Sequence, residues 1–304
     1  MRNVSRAVTA AAAIPGRRTE FLRLVTQGLA RCDSRGVDKG VSDGESVGPE
    51  MPYGHRWEAI TQGKARLADQ ERVLGIDHPD TLTSRHELAG AYRTAGRLTE
   101  AIALCEQTLA GRARVLGIDH PDTLASRHDL AGAYQVMRRL AEAILLYKMT
   151  LAGRARVLGN DHPDTLASRH DLAGACWSVG RLTEAVVLFE QTLAGRMRVL
   201  GNDHPDTLIS SNNLAGVYWL MGRLDKAIPL FEATLAGREH ALGEDHLDTL
   251  TSSNNLAGAY RAAGQIDKAI VLYRATLAGC ERILGGNHPT TLTVRENFRL
   301  ARGD

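Results

Sequence analysis

The chain carries one motif six times at a fixed interval of 42 residues, without insertion or deletion. The motif reads Leu-Gly-x-Asp/Asn-His-Pro/Leu-Asp/Thr-Thr-Leu and begins at Leu74, Leu116, Leu158, Leu200, Leu242 and Leu284. Self-similarity at such a period is typical of repeat proteins, in which each unit packs mainly on its two neighbours. The repeat therefore constrains the fold more strongly than any other feature of the sequence.

A single unit, residues 79–120, shows what each repeat folds into. Pro79 suits the first position of a helix, and Asp80 is favourable near the positive end of the helix dipole. Apolar residues then recur with a helical period up to Gly96, which predicts the end of a first helix. A second helix is expected from Leu98 to about Leu116. Each unit is therefore predicted to be helix, tight turn, helix and short loop, with no strand.

The unit resembles the tetratricopeptide repeat in the residues Leu88-Ala89-x-x-Tyr92-x-x-x-Gly96-x-x-x-x-Ala101. The 42-residue period and the Asp-His-Pro loop are similar to the kinesin-light-chain type of this repeat. Two positions depart from the pattern, Cys176 in place of tyrosine and Arg138 in place of the turn glycine. The resemblance implies an all-α, right-handed superhelical α-solenoid of stacked helix-turn-helix repeats.

The repeat frame predicts the domain organisation. We expect an array over residues 54–304, made of a half unit, five full units and a C-terminal capping helix. These span 54–78, 79–120, 121–162, 163–204, 205–246, 247–288 and 289–304. The preceding segment, 1–53, is predicted to be partly disordered or to contain a short capping helix. Residues 19–30 are the candidate for that helix because Phe21, Leu22, Val25 and Leu29 are spaced amphipathically.

Composition limits the classes of partner. With 43% hydrophobic residues, 24% charged residues and a net charge of +2, the chain offers no electrostatic reason to expect nucleic acid or a membrane. No apolar run approaches the ~18 residues that suggest a membrane span. The four cysteines show neither a disulfide framework nor a paired metal-ligand spacing, which predicts a cytoplasmic protein.

The sequence does not predict catalysis. The loop histidines, such as His78 and His120, belong to successive repeats, so they are too far apart to share a metal ion and are expected to shape the loops. Ser84 and His86 have the residue types of a hydrolytic triad, but residues two apart on a helix do not face each other. No phosphate-binding glycine loop occurs. We therefore predict neither enzymatic activity nor a bound cofactor or metal.

The first helices are expected to line a concave groove, as the resemblance implies. Three positions of each first helix, i, i+4 and i+7, share one face. In the five units the outer two positions, together with two neighbouring asparagines, give the predicted groove residues. These are His86, Arg93, His128, Gln135, His170, Trp177, Asn212, Asn213, Trp219, Asn254, Asn255 and Arg261. Asn213 and Asn255 inherit a peptide-holding role from the resemblance.

Glycines and tryptophans on this face allow two interpretations each. The middle position is always glycine, which predicts a close approach by either a ligand or a neighbouring helix. Trp177 and Trp219 either anchor a partner or pack between repeats. A further glycine recurs late in each second helix, for example Gly111 and Gly153, where it relaxes or bends the helix without an evident function.

The predicted function is that of a protein-interaction scaffold that binds a peptide or partner protein in the groove. One alternative is the sensor portion of a signalling ATPase whose effector lies on another chain or segment. A second alternative is a structural scaffold that self-associates, since units two and three are nearly identical.

Overall fold

The computed structural model describes residues 53–303, and all regular secondary structure in this range is helical. We number the helices α1 to α12. They are α1 Tyr53–Leu74, α2 Pro79–Thr94, α3 Leu98–Val115, α4 Pro121–Val136, α5 Leu140–Leu158, α6 Pro163–Ser178, α7 Leu182–Leu200, α8 Pro205–Leu220, α9 Leu224–Leu242, α10 Leu247–Ala262, α11 Ile266–Leu284 and α12 Pro289–Arg302. First helices of repeats alternate with second helices, so the predicted all-α repeat solenoid is confirmed. The segment predicted over residues 19–30 lies outside the described range.

Every first helix begins at the histidine of the repeated loop. The backbone N–H of Asp80 donates to Nδ1 of His78 at 3.2 Å, and the same bond joins Asp122 to His120. This bond satisfies one of the backbone N–H groups that a helix start leaves unpaired. Nδ1 of the histidine is the acceptor in this bond. The prediction that the Asp-His-Pro loop caps the helix is confirmed.

The turn between the two helices of a repeat requires a left-handed backbone. Gly96 and Gly222 both have a φ of +74°, which glycine adopts without steric cost. Arg138 occupies the same turn position with a φ of +61°. A residue with a Cβ atom is strained in this conformation, so the second repeat contains a locally unfavourable turn.

The glycine late in each second helix makes room for a leucine of the first helix. A Cβ atom added to Gly111 would lie 2.5 Å from Cδ2 of Leu82, and one added to Gly153 would lie 2.5 Å from Cδ2 of Leu124. Both leucines are almost fully buried. The glycine therefore serves helix packing, and the sequence-based idea that it relaxes or bends the helix is not needed.

A buried arginine joins each of the second helices α3, α5, α7 and α9 to the following repeat. Nη1 of Arg112 donates to Oγ of Ser126 at 2.9 Å and to the carbonyl oxygen of Asp122 at 3.1 Å. The corresponding bonds are made by Arg154, Arg196 and Arg238. Between α11 and α12 the arginine position is Cys280 and the serine position is Val294, both buried. The polar pair is thus replaced as a pair, which leaves no buried charge without a partner.

A tyrosine of the first helix makes a second contact between repeats. The hydroxyl of Tyr134 donates to Oε1 of Glu106 at 2.5 Å, and Tyr260 bonds Glu232 in the same way. Burial, together with this hydrogen bond to a carboxylate, raises the pKa of Tyr260 to about 12. In the third repeat Cys176 replaces the tyrosine and Lys148 replaces the glutamate, so both partners of this bond change together.

The helices form two compact units, divided between Val179 and Gly180. The described part of one unit contains α1 to α6, and that of the other contains α7 to α12. Each has a core of leucine, alanine and aromatic side chains contributed by both helix types.

Replacing Arg138 by glycine should stabilise the protein. Relief of the left-handed strain is worth about 1–2 kcal/mol, and the greater freedom of glycine in the unfolded chain offsets about half of this. We expect a higher urea midpoint for Arg138→Gly. The reverse change, Gly222→Arg, introduces only strain because no atom lies within 4 Å of the added Cβ. It should lower the midpoint, and an increase would contradict the argument.

Replacing Gly153 by alanine should destabilise the protein although alanine favours helix. The contact with Leu124 costs about 1–3 kcal/mol if the core must adjust, against a helix-propensity gain of about 0.5–1 kcal/mol. We expect a net loss of about 1 kcal/mol by urea unfolding. In a Leu124→Ala background the clash is removed, so the same change should be neutral or stabilising.

Candidate functional site

The first-helix stripe is the set of side chains at the i, i+4 and i+7 positions of α2, α4, α6, α8 and α10. It reads His86/Gly90/Arg93, His128/Gly132/Gln135, His170/Gly174/Trp177, Asn212/Gly216/Trp219 and Asn254/Gly258/Arg261. The three positions of each helix lie on one face because successive intervals of four and three residues complete about two turns. The stripe therefore brings polar, aromatic and glycine positions to the same side of each unit.

Histidine and aspartate connect neighbouring first helices in the unit that contains α1 to α6. Nε2 of His86 lies 3.5 Å from Oδ2 of Asp129, and Nε2 of His128 lies 3.1 Å from Oδ2 of Asp171. Both pairs join residues on two consecutive first helices. The first position of the stripe, which His86 and His128 occupy, is thus also a contact between repeats.

Asparagine makes the same connection in the unit that contains α7 to α12. Nδ2 of Asn255 donates to Oδ1 of Asn212 at 3.2 Å, and Nδ2 of Asn297 donates to Oδ1 of Asn254 at 3.1 Å. An amide both donates and accepts without carrying charge. One unit therefore makes this contact with histidine and aspartate, which are titratable. The other unit makes it with two asparagines, which are neutral.

Four of the predicted groove residues are buried. The exposed fractions are 4% for His170, 4% for Trp177, 3% for Asn254 and 6% for Asn255. A side chain this buried offers a partner little surface in this conformation. The accessible part of the stripe consists of the partly exposed residues His86, Arg93, His128, Gln135, Asn212, Asn213, Trp219 and Arg261.

Trp219 packs across the next repeat. A Cβ atom added to Gly258 would lie 2.9 Å from Cη2 of Trp219, whose ring also meets Phe231 edge to face with centroids 6.4 Å apart. At this position the glycine accommodates a neighbouring side chain, which is the packing interpretation of the stripe glycines. The partly exposed remainder of the Trp219 ring is still available to a partner.

Gly90 has no such neighbour. A Cβ atom added to Gly90 would meet no atom within 4 Å, and one added to Gly132 would meet only the hydroxyl of Tyr147, at 3.6 Å. Packing within the described chain therefore does not explain why α2 carries a glycine there. The stripe therefore leaves an open space over Gly90, which we call the open floor. The side chains of His86 and Arg93 border it.

Burial controls the charge of His86. Loss of solvent lowers the pKa of this imidazole below its usual value, and the carboxylate of Asp129 opposes the shift. The folded protein therefore holds His86 neutral at a pH where the unfolded chain would protonate it. The burial of this imidazole consequently makes folding stability sensitive to acid.

Sequence reasoning missed Asn297, the partner of Asn254 on α12. The 42-residue frame places Asn297 at the position of Asn255, so the repeat itself contained the signal. Asn297 is almost completely buried.

Catalytic and metal chemistry find little support in the described part of the chain. No group of three or more histidine, cysteine, aspartate or glutamate side chains within residues 53–303 is arranged to hold a metal ion. Burial raises the pKa of the Cys105 thiol to about 11, so this cysteine is not a thiolate nucleophile at neutral pH. Among the same residues no helix is both long and apolar enough to cross a membrane.

Burial of His86 should make the stability of the protein decrease as the pH falls. Because the folded pKa of His86 lies below the unfolded value of 6.5, stability is complete above pH 6.5 and decreases as pH falls towards the folded pKa. We expect the His86→Asn/Asp129→Asn variant, which copies the Asn212–Asn255 pair, to lose less stability between about pH 7.5 and pH 5. Urea midpoints across this range measure the difference, and equal slopes would exclude the assigned cause.

Comparison with known proteins identifies the repeat. A family model for the tetratricopeptide repeat matches residues 80–156, 129–197, 175–240, 206–281 and 248–298. A solved kinesin-light-chain-like protein of Podospora anserina with nearly identical TPR-like repeats is 38% identical. The match covers 68% of this chain and 98% of that protein, with a TM-score of 0.62. Comparison with curated protein sequences found no match.

Two more distant structures share the fold. BtubC (BKLC) from P. vanneervenii is 21% identical over 78% of this chain and 92% of its own, with a TM-score of 0.62. The apo form of the quorum sensor NprR from B. thuringiensis is 14% identical over 99% of this chain and 82% of its own, with a TM-score of 0.61. At these identities the likeness concerns the fold alone. The repeat matches and the 38% identical relative together show that this chain belongs to the tetratricopeptide-repeat family.

Proposed function

We propose that this chain is a scaffold that binds an extended segment of a partner protein along the first-helix stripe. Its family supports a role in protein interaction in general. The observation that carries the more specific proposal is the open floor at Gly90, where α2 keeps a glycine although no atom of the described residues lies within 4 Å of an added Cβ atom. Glycine in a helix costs about 0.5–1 kcal/mol relative to alanine, so close approach of a ligand backbone is a reason for it to be there.

The chemistry around the floor suits a peptide backbone and polar side chains. Arg93 and Gln135 are partly exposed and supply donors. An extended segment presents alternating N–H and C=O groups that can meet such side chains. The stripe therefore supports recognition of an extended segment better than recognition of a small apolar ligand.

The two units would contribute different contacts. In one, the carboxylates of Asp129 and Asp171 are already paired with histidines, so the free charge on the accessible stripe is mainly that of Arg93. In the other, Asn212, Asn213 and the outer part of Trp219 add neutral polar and aromatic surface. Each unit would therefore select different side chains of a partner.

Filling the floor tests this proposal without disturbing the core. In the Gly90→Leu variant, the added Cβ atom enters open space on the stripe and helix propensity improves. We expect unchanged or higher thermal stability together with at least a roughly tenfold loss of partner binding, about 1.4 kcal/mol. The matched control is Ala103→Leu, which adds the same bulk to an exposed position of the second helix α3.

Partners are captured from the native lysate with the wild-type chain and identified by mass spectrometry. Dissociation constants of the wild type and both variants are then measured with fragments of each captured partner. Binding that survives in both variants would exclude the stripe and point to the second helices or loops. Capture of this chain alone, with a mass that rises with concentration, would favour a self-associating scaffold.

A further inference from the structure

A pocket of about 420 Å³ lies between the two helices of the fifth repeat, in the unit that contains α7 to α12. Leu256 and Tyr260 of α10 line it, together with four side chains from the first two turns of α11, which are Asp267, Lys268, Val271 and Leu272. Leu256 and Tyr260 each follow a stripe position by two residues, which is about 200° around the helix. The pocket is therefore separate from the first-helix stripe.

The ring of Tyr260 borders this pocket, whereas an arginine covers the corresponding ring in three other repeats. In each of them the residue directly before the second helix is an arginine whose Cζ lies over the tyrosine. The distances from Cζ to the ring centroid are 4.8 Å for Arg97 and Tyr92, 4.1 Å for Arg139 and Tyr134, and 5.0 Å for Arg223 and Tyr218. A planar guanidinium is attracted to the electron-rich face of an aromatic ring. This place in the repeat therefore holds a cation.

The fifth repeat has glutamine at the arginine position. Gln265 directly precedes α11, just as Arg223 directly precedes α9 in the fourth repeat. Tyr218, which Arg223 covers, is 3% exposed, whereas Tyr260 is partly exposed. Glutamine carries no charge, so it does not replace the guanidinium. The ring of Tyr260 consequently lies open at the edge of the pocket.

A neighbouring lysine does not take the place of the missing arginine. Nζ of Lys268 lies 5.1 Å from the centroid of the Tyr260 ring. In the fourth repeat Nζ of Lys226 lies 5.2 Å from the ring of Tyr218 in the same way, although Arg223 also lies over this ring. A tyrosine at this position thus accommodates a lysine and an arginine together.

The charges around the two tyrosines differ by one cation. Each ring has two carboxylates and one lysine nearby. In the fifth repeat these are Glu232, which accepts from the Tyr260 hydroxyl at 2.5 Å, Asp267 and Lys268. In the fourth repeat they are Glu190, Asp225 and Lys226, and Arg223 adds a second positive charge. The fifth repeat lacks this charge, which favours a cation from outside the chain.

We propose that this pocket binds an arginine side chain of a partner protein. The guanidinium stacks on the ring of Tyr260, as in the fourth repeat, and pairs with the exposed carboxylate of Asp267. The methylene groups of the arginine lie against Leu256 and Val271. At about 420 Å³ the pocket is near the lower end of the range of about 300–1,000 Å³ for small-molecule sites, which suits one long side chain.

NMR on the full chain with ¹³C-labelled tyrosine rings tests this site. The probe is N-acetyl-arginine amide, and its neutral counterpart is N-acetyl-citrulline amide, which has the same length without the charge. We expect the arginine probe to give a saturable shift of the Tyr260 ring signal. The citrulline probe should bind at least roughly fivefold more weakly because it lacks the cation. Spectra of Tyr260→Phe and Tyr218→Phe assign the two ring signals.

Two matched variants move the site within the chain. In Gln265→Arg the chain covers Tyr260 itself, so the probe should bind there at least roughly fivefold more weakly. In Arg223→Gln the ring of Tyr218 is uncovered, so a second saturable shift should appear at that tyrosine. Neither Arg223 nor Gln265 makes a capping hydrogen bond through its side chain. Circular dichroism should therefore show unchanged helical content in both variants.

The remaining outcomes would overturn the proposal. Absence of a saturable shift at Tyr260, or equal binding of the arginine and citrulline probes, would show that the pocket does not recognise a guanidinium. Equal binding of N-acetyl-lysine amide would assign the pocket to cations in general rather than to arginine. Unchanged binding in Gln265→Arg, or no response at Tyr218 in Arg223→Gln, would show that the missing arginine does not create the site.

Discussion

The close contact between a leucine of the first helix and a glycine of the second underlies the whole array. The two helices of a repeat lie closer to each other than any side chain at the glycine position would allow. This is seen for Leu82 with Gly111 and for Leu124 with Gly153. The contact recurs with Leu250 against Gly279. Because each repeat is held together at this point, it presents a fixed surface to the next, and the repeats can stack with a constant period.

Two of the polar contacts between repeats change as pairs. Arg112 with Ser126 becomes Cys280 with Val294, and His86 with Asp129 becomes Asn212 with Asn255 in the other unit. The physical reason is that a buried polar group without its partner costs more than the pair contributes. Substitution of both partners preserves the stacking of the repeats while it alters their charge. One scaffold can therefore display different surfaces in different repeats.

The candidate site therefore shares residues with the scaffold. His86 and Asn212 both hold neighbouring repeats together and face the accessible side of the stripe. Binding of a partner there would compete with, or add to, contacts that stabilise the array. Gly90 is different because an added Cβ atom would meet no atom of residues 53–303 within 4 Å, which makes it the position where binding can be tested without loss of stability.

The sequence by itself determined the helices, their boundaries and their order, because capping histidines, turn glycines and apolar spacing act over short distances along the chain. It also placed the stripe, since positions on one helix face follow from helix geometry alone. Only the tertiary structure decided which stripe residues are buried. The burial of Asn255 and the packing of Trp219 on Gly258 join residues of successive repeats. Such contacts depend on how one repeat is rotated against the next, and a one-dimensional pattern does not specify that rotation.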